Sequence, residues 1–181
     1  MGPRNTQDPH RDDLNQLFLA TYEELRRLAS SVRRSDPYAT LSPTTLVHEA
    51  WLKLADSSRI AASSQLHFKR IAGRAMRQVV VEIARRRSAS KRAGGSGAAL
   101  VTFDESLGVV GSAERDVLAL EAALKELARM NPRQAVLVEG RFFGGLNTSE
   151  IAELLEVSEA TIVRDWRAAK AWLAHELRQV R

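Results

Sequence analysis

Apolar residues recur at three- and four-residue intervals along most of this chain, and no stretch alternates as a half-buried strand would. The pattern predicts an all-α protein. A first helix is expected from Asp12 or Asp13, with Leu14, Leu17, Phe18, Tyr22, Leu25, Leu28, Ala29 and Val32 on one broad face and Ser35-Asp36-Pro37 as its stop. A second opens at Ser42-Pro43, serine at the cap and proline in the first turn, and carries Leu46, Val47, Ala50, Trp51 and Leu54. After a polar loop, Asp56 to Ser64, a third helix runs from about Gln65 to Arg87 with Phe68, Ile71, Ala72, Ala75, Met76, Val79, Val80 and Ile83 inward. These three can share one core, giving a first helical domain over residues 1–87. Residues 88–111 turn rich in serine, alanine, lysine and glycine and lose the helical stripe, which predicts a flexible linker. Residues 112–181 return to helical spacing: Glu114 to Met130, then Arg133 to Phe143 between Asn131-Pro132 and Gly144-Gly145, then a closely spaced pair of helices.

That last pair reads as a helix-turn-helix. Ile151, Ala152 and Leu155 share a face behind a cap at Thr148 or Ser149, and Val157 plugs the turn. Ser158 then caps a second helix whose inner face is Ile162, Trp166 and Ala169. Its outer face offers Thr161, Arg164, Arg167 and Lys170, hydroxyl and cationic groups suited to base edges and phosphates in a major groove.

Charge strengthens that reading. The 181 residues carry a formal net charge of +5, which favours a polyanionic partner. Nine of the Lys and Arg residues fall between Lys69 and Arg92 against one acid, Glu82, making the third helix a candidate phosphate-binding edge. Two weak basic modules on one tether would bind DNA together more tightly than either alone.

Catalysis finds no support. Cysteine is absent, so there is no disulfide or thiolate metal site. His48-Glu49 lacks a second histidine at zinc spacing, because Leu52 and Lys53 stand there. Gly94-Gly95-Ser96-Gly97 lacks both the strand and the lysine of a phosphate loop, and no serine sits in a nucleophile elbow. The expectation is a protein with no cofactor, no metal, no small-molecule substrate and no membrane segment, cytoplasmic and nucleoid-associated when at work.

Two small helical domains, a basic third helix and a terminal helix-turn-helix together resemble the extracytoplasmic-function (ECF) subfamily of RNA polymerase sigma factors, over nearly the whole chain. Leu46-Val47-His48-Glu49-Ala50-Trp51-Leu52-Lys53-Leu54 resembles the family helix that docks on the β′ clamp helices, which implies docking roles for Leu46, Val47, Glu49, Ala50 and Lys53. The stretch Arg77 to Arg87 resembles the part that meets the −10 element, implying contacts from Arg74, Arg77, Gln78, Arg85 and Arg86, with the loop Asp56 to Gln65 holding a flipped base. The C-terminal domain resembles the part that binds the β flap and reads the −35 element, implying Thr161, Val163, Arg164, Asp165, Arg167 and Lys170, with Asp165 orienting an arginine or accepting from cytosine.

One departure from the family pattern stands out. Members usually carry an acidic cluster ahead of the segment matching Leu46-Val47, whereas this chain has Ser42-Pro43-Thr44-Thr45 and no acid from Ala39 to Val47. Phosphate on Thr44, or on Thr45, would restore negative charge at a helix N-terminus, as the resemblance to a kinase-controlled subgroup implies, with a Ser/Thr kinase as a further partner. The alternative is a helix-turn-helix regulator with an N-terminal helical sensor domain, acting without polymerase docking, or a scaffold that uses the same helix pair for protein contacts alone.

Overall fold

The computed structural model describes residues 9–33, 42–56, 64–92 and 113–179. Among them there are seven helices and no strand: α1 (Pro9–Arg33), α2 (Pro43–Ala55), α3 (Gln65–Arg92), α4 (Ala113–Met130), α5 (Pro132–Phe142), α6 (Thr148–Leu155) and α7 (Glu159–Gln179). The break at Ser35-Asp36-Pro37 and most of the expected linker lie outside the described residues.

Local chemistry explains most boundaries. α2 and α5 begin alike, a polar cap followed by proline: Ser42 Oγ accepts from the Thr45 amide at 3.0 Å, and Asn131 Oδ1 from the Gln134 amide at 3.3 Å. Ser64 does the same for the His67 amide at the head of α3. Two boundaries differ from the sequence pattern. α1 starts at Pro9, ahead of the expected Asp12–Asp13, and α3 continues through Ser88 to Arg92 into the stretch expected as linker. The second difference has a simple cause. Ser-Ala-Ser-Lys-Arg holds no glycine or proline, and helix-forming alanine, lysine and arginine carry the helix until shortly before Gly94.

α1, α2 and α3 pack through Leu25, Ala29, Val47, Ala50, Phe68 and Ala72, all nearly inaccessible to solvent. Phe18 stacks on Trp51 at a centroid separation of 4.5 Å and meets Tyr22 edge-on at 5.6 Å, tying α1 to α2. The apolar core does not stop there. It continues through Val79, Val80 and Ala84 of α3 into Val117, Leu124 and Leu127 of α4 and Leu173 of α7. A second, smaller core of Leu137, Leu146, Ile151, Ala152 and Ile162 closes the C-terminal half, with Leu66 of α3 packed against it. The two halves read from sequence are thus pressed together along α3.

Two glycines make that contact. A side-chain carbon on Gly73 of α3 would lie 2.6 Å from the carbonyl carbon of Phe143 and from the Gly144 nitrogen, so only hydrogen fits where α3 crosses the turn after α5. Gly145 in that turn has φ +64° and faces Leu28 of α1 at a distance a methyl group could not occupy. Phe68 sits at the centre of the N-terminal packing with no exposed surface. Truncating it to alanine is expected to cost about 3–5 kcal/mol, read as a drop in the urea midpoint with little change in slope.

Candidate nucleic-acid interface

The helix-turn-helix is built as its spacing suggests, with one change at its start. The cap of α6 is Asn147, not Thr148 or Ser149. Its side chain accepts from the Glu150 amide at 2.9 Å, while Glu150 Oε2 accepts from the Asn147 amide at 2.7 Å. That reciprocal pair is a capping box, and the Asn-x-x-Glu spacing announced it. α6 ends with Glu156 in the left-handed conformation at φ 53°, ψ 44°, which turns the chain within three residues. Val157 packs against the smaller core, and Ser158 Oγ accepts from the Thr161 amide at 3.2 Å to start α7. Ile162 and Ala169 are fully buried, and Trp166 is half-buried against Phe142, with the Arg141 guanidinium 4.8 Å from its ring.

The outward face of α7 presents Val163, Arg164 and Arg167 to solvent, with Thr161 and Lys170 partly exposed beside them. Arg164 rests along its own helix, donating to the Ala160 carbonyl at 3.3 Å and to Thr161 Oγ1 at 3.4 Å. Asp165 is placed differently from its expected neighbours. It is buried, and its carboxylate accepts two hydrogen bonds from Arg133 of α5, at 2.6 and 3.2 Å. This pairing pushes the Arg133 pKa further up, chiefly through the hydrogen bond, and it fixes the rotation of α7 on α5. Asp165 does orient an arginine, but one inside the chain; it is not on the exposed face.

On α3 the expected contacts separate. Arg74, Gln78, Arg85 and Arg86 are exposed. Arg77 is not. Its guanidinium donates to Glu121 of α4 at 2.7 Å and pairs with Glu139 of α5 at 2.6 Å, all three side chains being nearly buried. Phe68, the sole aromatic between Asp56 and Leu100, lies wholly in the core, so it offers no stacking platform in this conformation. Residues 57–63, which make up most of the loop expected to hold a flipped base, lie outside the described residues.

The docking residues require a correction. Leu46, Val47 and Ala50 are 5%, 1% and 2% exposed, so their side chains belong to the core and cannot meet a partner. Lys53 is turned toward Glu82 of α3 at 2.7 Å. The outward stripe of α2 is Thr45, His48, Glu49 and Leu52, of which Leu52 is 55% exposed. Of these only Glu49 was in the expected set. The helical period signalled the others: steps of three, one and three residues from Thr45 trace the face opposite Leu46, Ala50 and Leu54.

A further ionic link joins the elements that position the helix-turn-helix. Lys69 of α3 pairs with Glu24 of α1 at 2.5 Å and with Glu150 of α6 at 3.4 Å, so the glutamate that completes the capping box also anchors α6 to the N-terminal half. Burial acts to lower the Lys69 pKa, but the hydrogen bond to Glu24 and the charge of Glu150 outweigh it, leaving the value above the ordinary 10.5.

A family model described as ECF sigma factor matches residues 4–179. The chain belongs to the ECF sigma factor family. Comparison with curated proteins and with solved structures returned no match. As an ECF sigma factor it is a DNA-binding factor for transcription initiation, working with core RNA polymerase on promoter DNA. That membership sets aside the free-standing regulator and the protein-only scaffold. Sigma factors of this family are not enzymes. Among the described residues no helix is long and apolar enough to cross a membrane, and no histidine, aspartate and glutamate side chains gather as a metal site.

The Lys69 link gives this ECF sigma factor a pH signature. Replacing Lys69 with methionine should lower stability by about 1–2 kcal/mol, allowing for the partly exposed glutamates. Because the folded pKa is raised, the wild-type advantage is complete below the ordinary lysine value of 10.5 and shrinks as pH rises through the folded value. Urea unfolding of both proteins from neutral to strongly alkaline pH would show the gap closing; a gap independent of pH would mean that packing, not charge, holds Lys69.

Proposed function

We propose that this sigma factor docks on the β′ clamp helices through the outward stripe of α2, meets −10 DNA through α3 and reads the −35 element through α7, whose domain also binds the β flap. In this reading Thr161, Val163, Arg164, Arg167 and Lys170 touch −35 bases and phosphates, with the arginines matched to guanine edges. Arg74, Gln78, Arg85 and Arg86 lie along −10 DNA, and Arg77 joins them once its carboxylate partners are removed.

We further propose that docking is switched by threonine phosphorylation at the head of α2. One observation carries this. The first turn of α2 holds no acidic residue, and it opens directly onto the solvent-facing stripe. Pro43 has no amide hydrogen and Ser42 already satisfies the Thr45 amide, which leaves the Thr44 amide and the helix dipole to favour an added anion. Thr45 is the better placed hydroxyl for a partner to feel. It is exposed and in line with His48, Glu49 and Leu52, whereas Thr44 is half-buried. Thr45 Oγ1 exchanges a 2.8 Å hydrogen bond with Ser42 Oγ, a contact that phosphorylation would replace with charge.

The test is retention on immobilised core polymerase. Unmodified wild type and Thr45→Ala should be held weakly, while kinase-treated protein and Thr45→Glu should bind about tenfold more tightly, the gain of one or two charge-assisted contacts. Thr44→Glu should give a smaller gain, and Leu52→Asp should abolish retention in every state without unfolding the chain. Equal retention of wild type and the Glu forms would overturn the switch while leaving the docking face intact.

A further inference from the structure

α3 on one side and α4 with α5 on the other enclose a groove of about 600 Å³. That volume falls within the range of small-molecule sites, roughly 300–1,000 Å³. Five cationic side chains and three carboxylates line it. Each carboxylate is already answered within the chain: Glu82 by Lys53 at 2.7 Å, Glu121 by Arg77 and Lys125 at 2.7 and 3.1 Å, and Glu139 by Arg77 at 2.6 Å. The cations are not all spent. Among the described residues, Arg70, Arg74 and Arg85 have no ion-pair or hydrogen-bond partner. Arg77 adds one more uncommitted donor, since its Nε is buried and unpartnered.

We infer that this groove is a binding site for a nucleoside di- or triphosphate, with the phosphates on Arg70 and Arg74 and the base against Leu124, Ala128 and Val136. Three features support it. First, Arg70 and Arg74 lie on the same side of α3, about 6 Å apart along its axis, so two guanidinium forks can grip neighbouring phosphate groups of one ligand. Second, Arg70 is half-buried yet has no counterion within the chain, a costly position that an anionic ligand relieves. Third, the groove is not purely cationic. Leu124, Ala128 and Val136 line it from the α4 and α5 side, and they suit a flat apolar body that an inorganic phosphate chain lacks. Gln78, also at the groove, carries both a donor and an acceptor for the edge of a base. The site stands on the groove itself and is independent of the assignment of α3 to −10 DNA.

Isothermal titration calorimetry of the full chain tests this, with ATP, GTP, inorganic tripolyphosphate and adenosine as the probes. Arg70→Gln with Arg74→Gln removes the phosphate grip, and both side chains are free of internal partners, so the fold should be retained. Ala128→Glu brings a carboxylate to the groove from an exposed helical position and leaves every arginine in place. Arg26→Gln with Arg129→Gln removes two exposed arginines elsewhere and serves as the charge control.

At least one of the two nucleotides should bind wild type saturably with one site per chain. Tripolyphosphate should bind about tenfold more weakly and adenosine more weakly still, since each lacks half of the recognised structure. The Arg70–Arg74 double variant and Ala128→Glu should each lose about tenfold in nucleotide affinity, the worth of one or two charge-assisted contacts. The control should bind as wild type does. A nucleotide carrying a photoreactive azide on its base should cross-link to peptides of α3, α4 or α5. Absence of saturable binding at millimolar nucleotide, an equal loss in the control, or cross-links confined to other helices would overturn the inference. Tripolyphosphate binding as tightly as the nucleotides would overturn it too, because the base would then contribute nothing.

Discussion

The crossing of α3 over the turn after α5 governs this molecule. Its closeness depends on a residue without a side chain, Gly73, lying against the Phe143 and Gly144 backbone. Once that approach is made, Val79, Val80 and Ala84 reach the apolar face of α4, Lys69 reaches Glu150, and Arg77 comes within reach of Glu121 and Glu139. Each of these contacts is ordinary alone. Together they make α3 the shared wall of two halves that the sequence presents as separate units.

Ionic groups and apolar groups do different work at this wall. Burial of aliphatic side chains supplies adhesion with little directional preference. The ion pairs set register: Arg77 with two carboxylates and Lys69 with one fix which turn of α3 faces which turn of α4, α5 and α6. Buried pairs of this kind add little net stability over apolar packing, but losing one partner is costly.

Much of the architecture was legible in the sequence because it depends on neighbours a few residues apart. The helical period placed all seven of the described helices, and Ser-Pro marked the start of α2, whereas Asn131-Pro132, expected as the stop of α4, also caps and opens α5. The inner faces of α6 and α7 followed from spacing, as did the capping role of Ser158. The capping box at Asn147 was equally local, yet the neighbouring Thr148 and Ser149 drew the cap one or two positions too far along. Burial on α2 was misjudged for another reason. A motif recognised as a block gives every residue in it the block's role, whereas the helix assigns Leu46, Val47 and Ala50 to the core and Leu52 to the outside. The pairing of Arg77 with Glu121 and Glu139 and that of Asp165 with Arg133 were beyond reach, because their partners are remote in sequence and a carboxylate on a helix carries no mark of what it will face.

The Asp165–Arg133 pair bears on how this protein's promoter preference could be altered. Because α5 holds α7 by Asp165, which lies between the outward arginines Arg164 and Arg167 in sequence, the angle at which α7 is presented is set by the scaffold, independently of the side chains proposed to meet the bases. Thr161, Arg164, Arg167 and Lys170 can then be exchanged as a combinatorial set without re-aiming the helix. A library that also randomised Asp165 would confound a change of recognised sequence with a change of presentation.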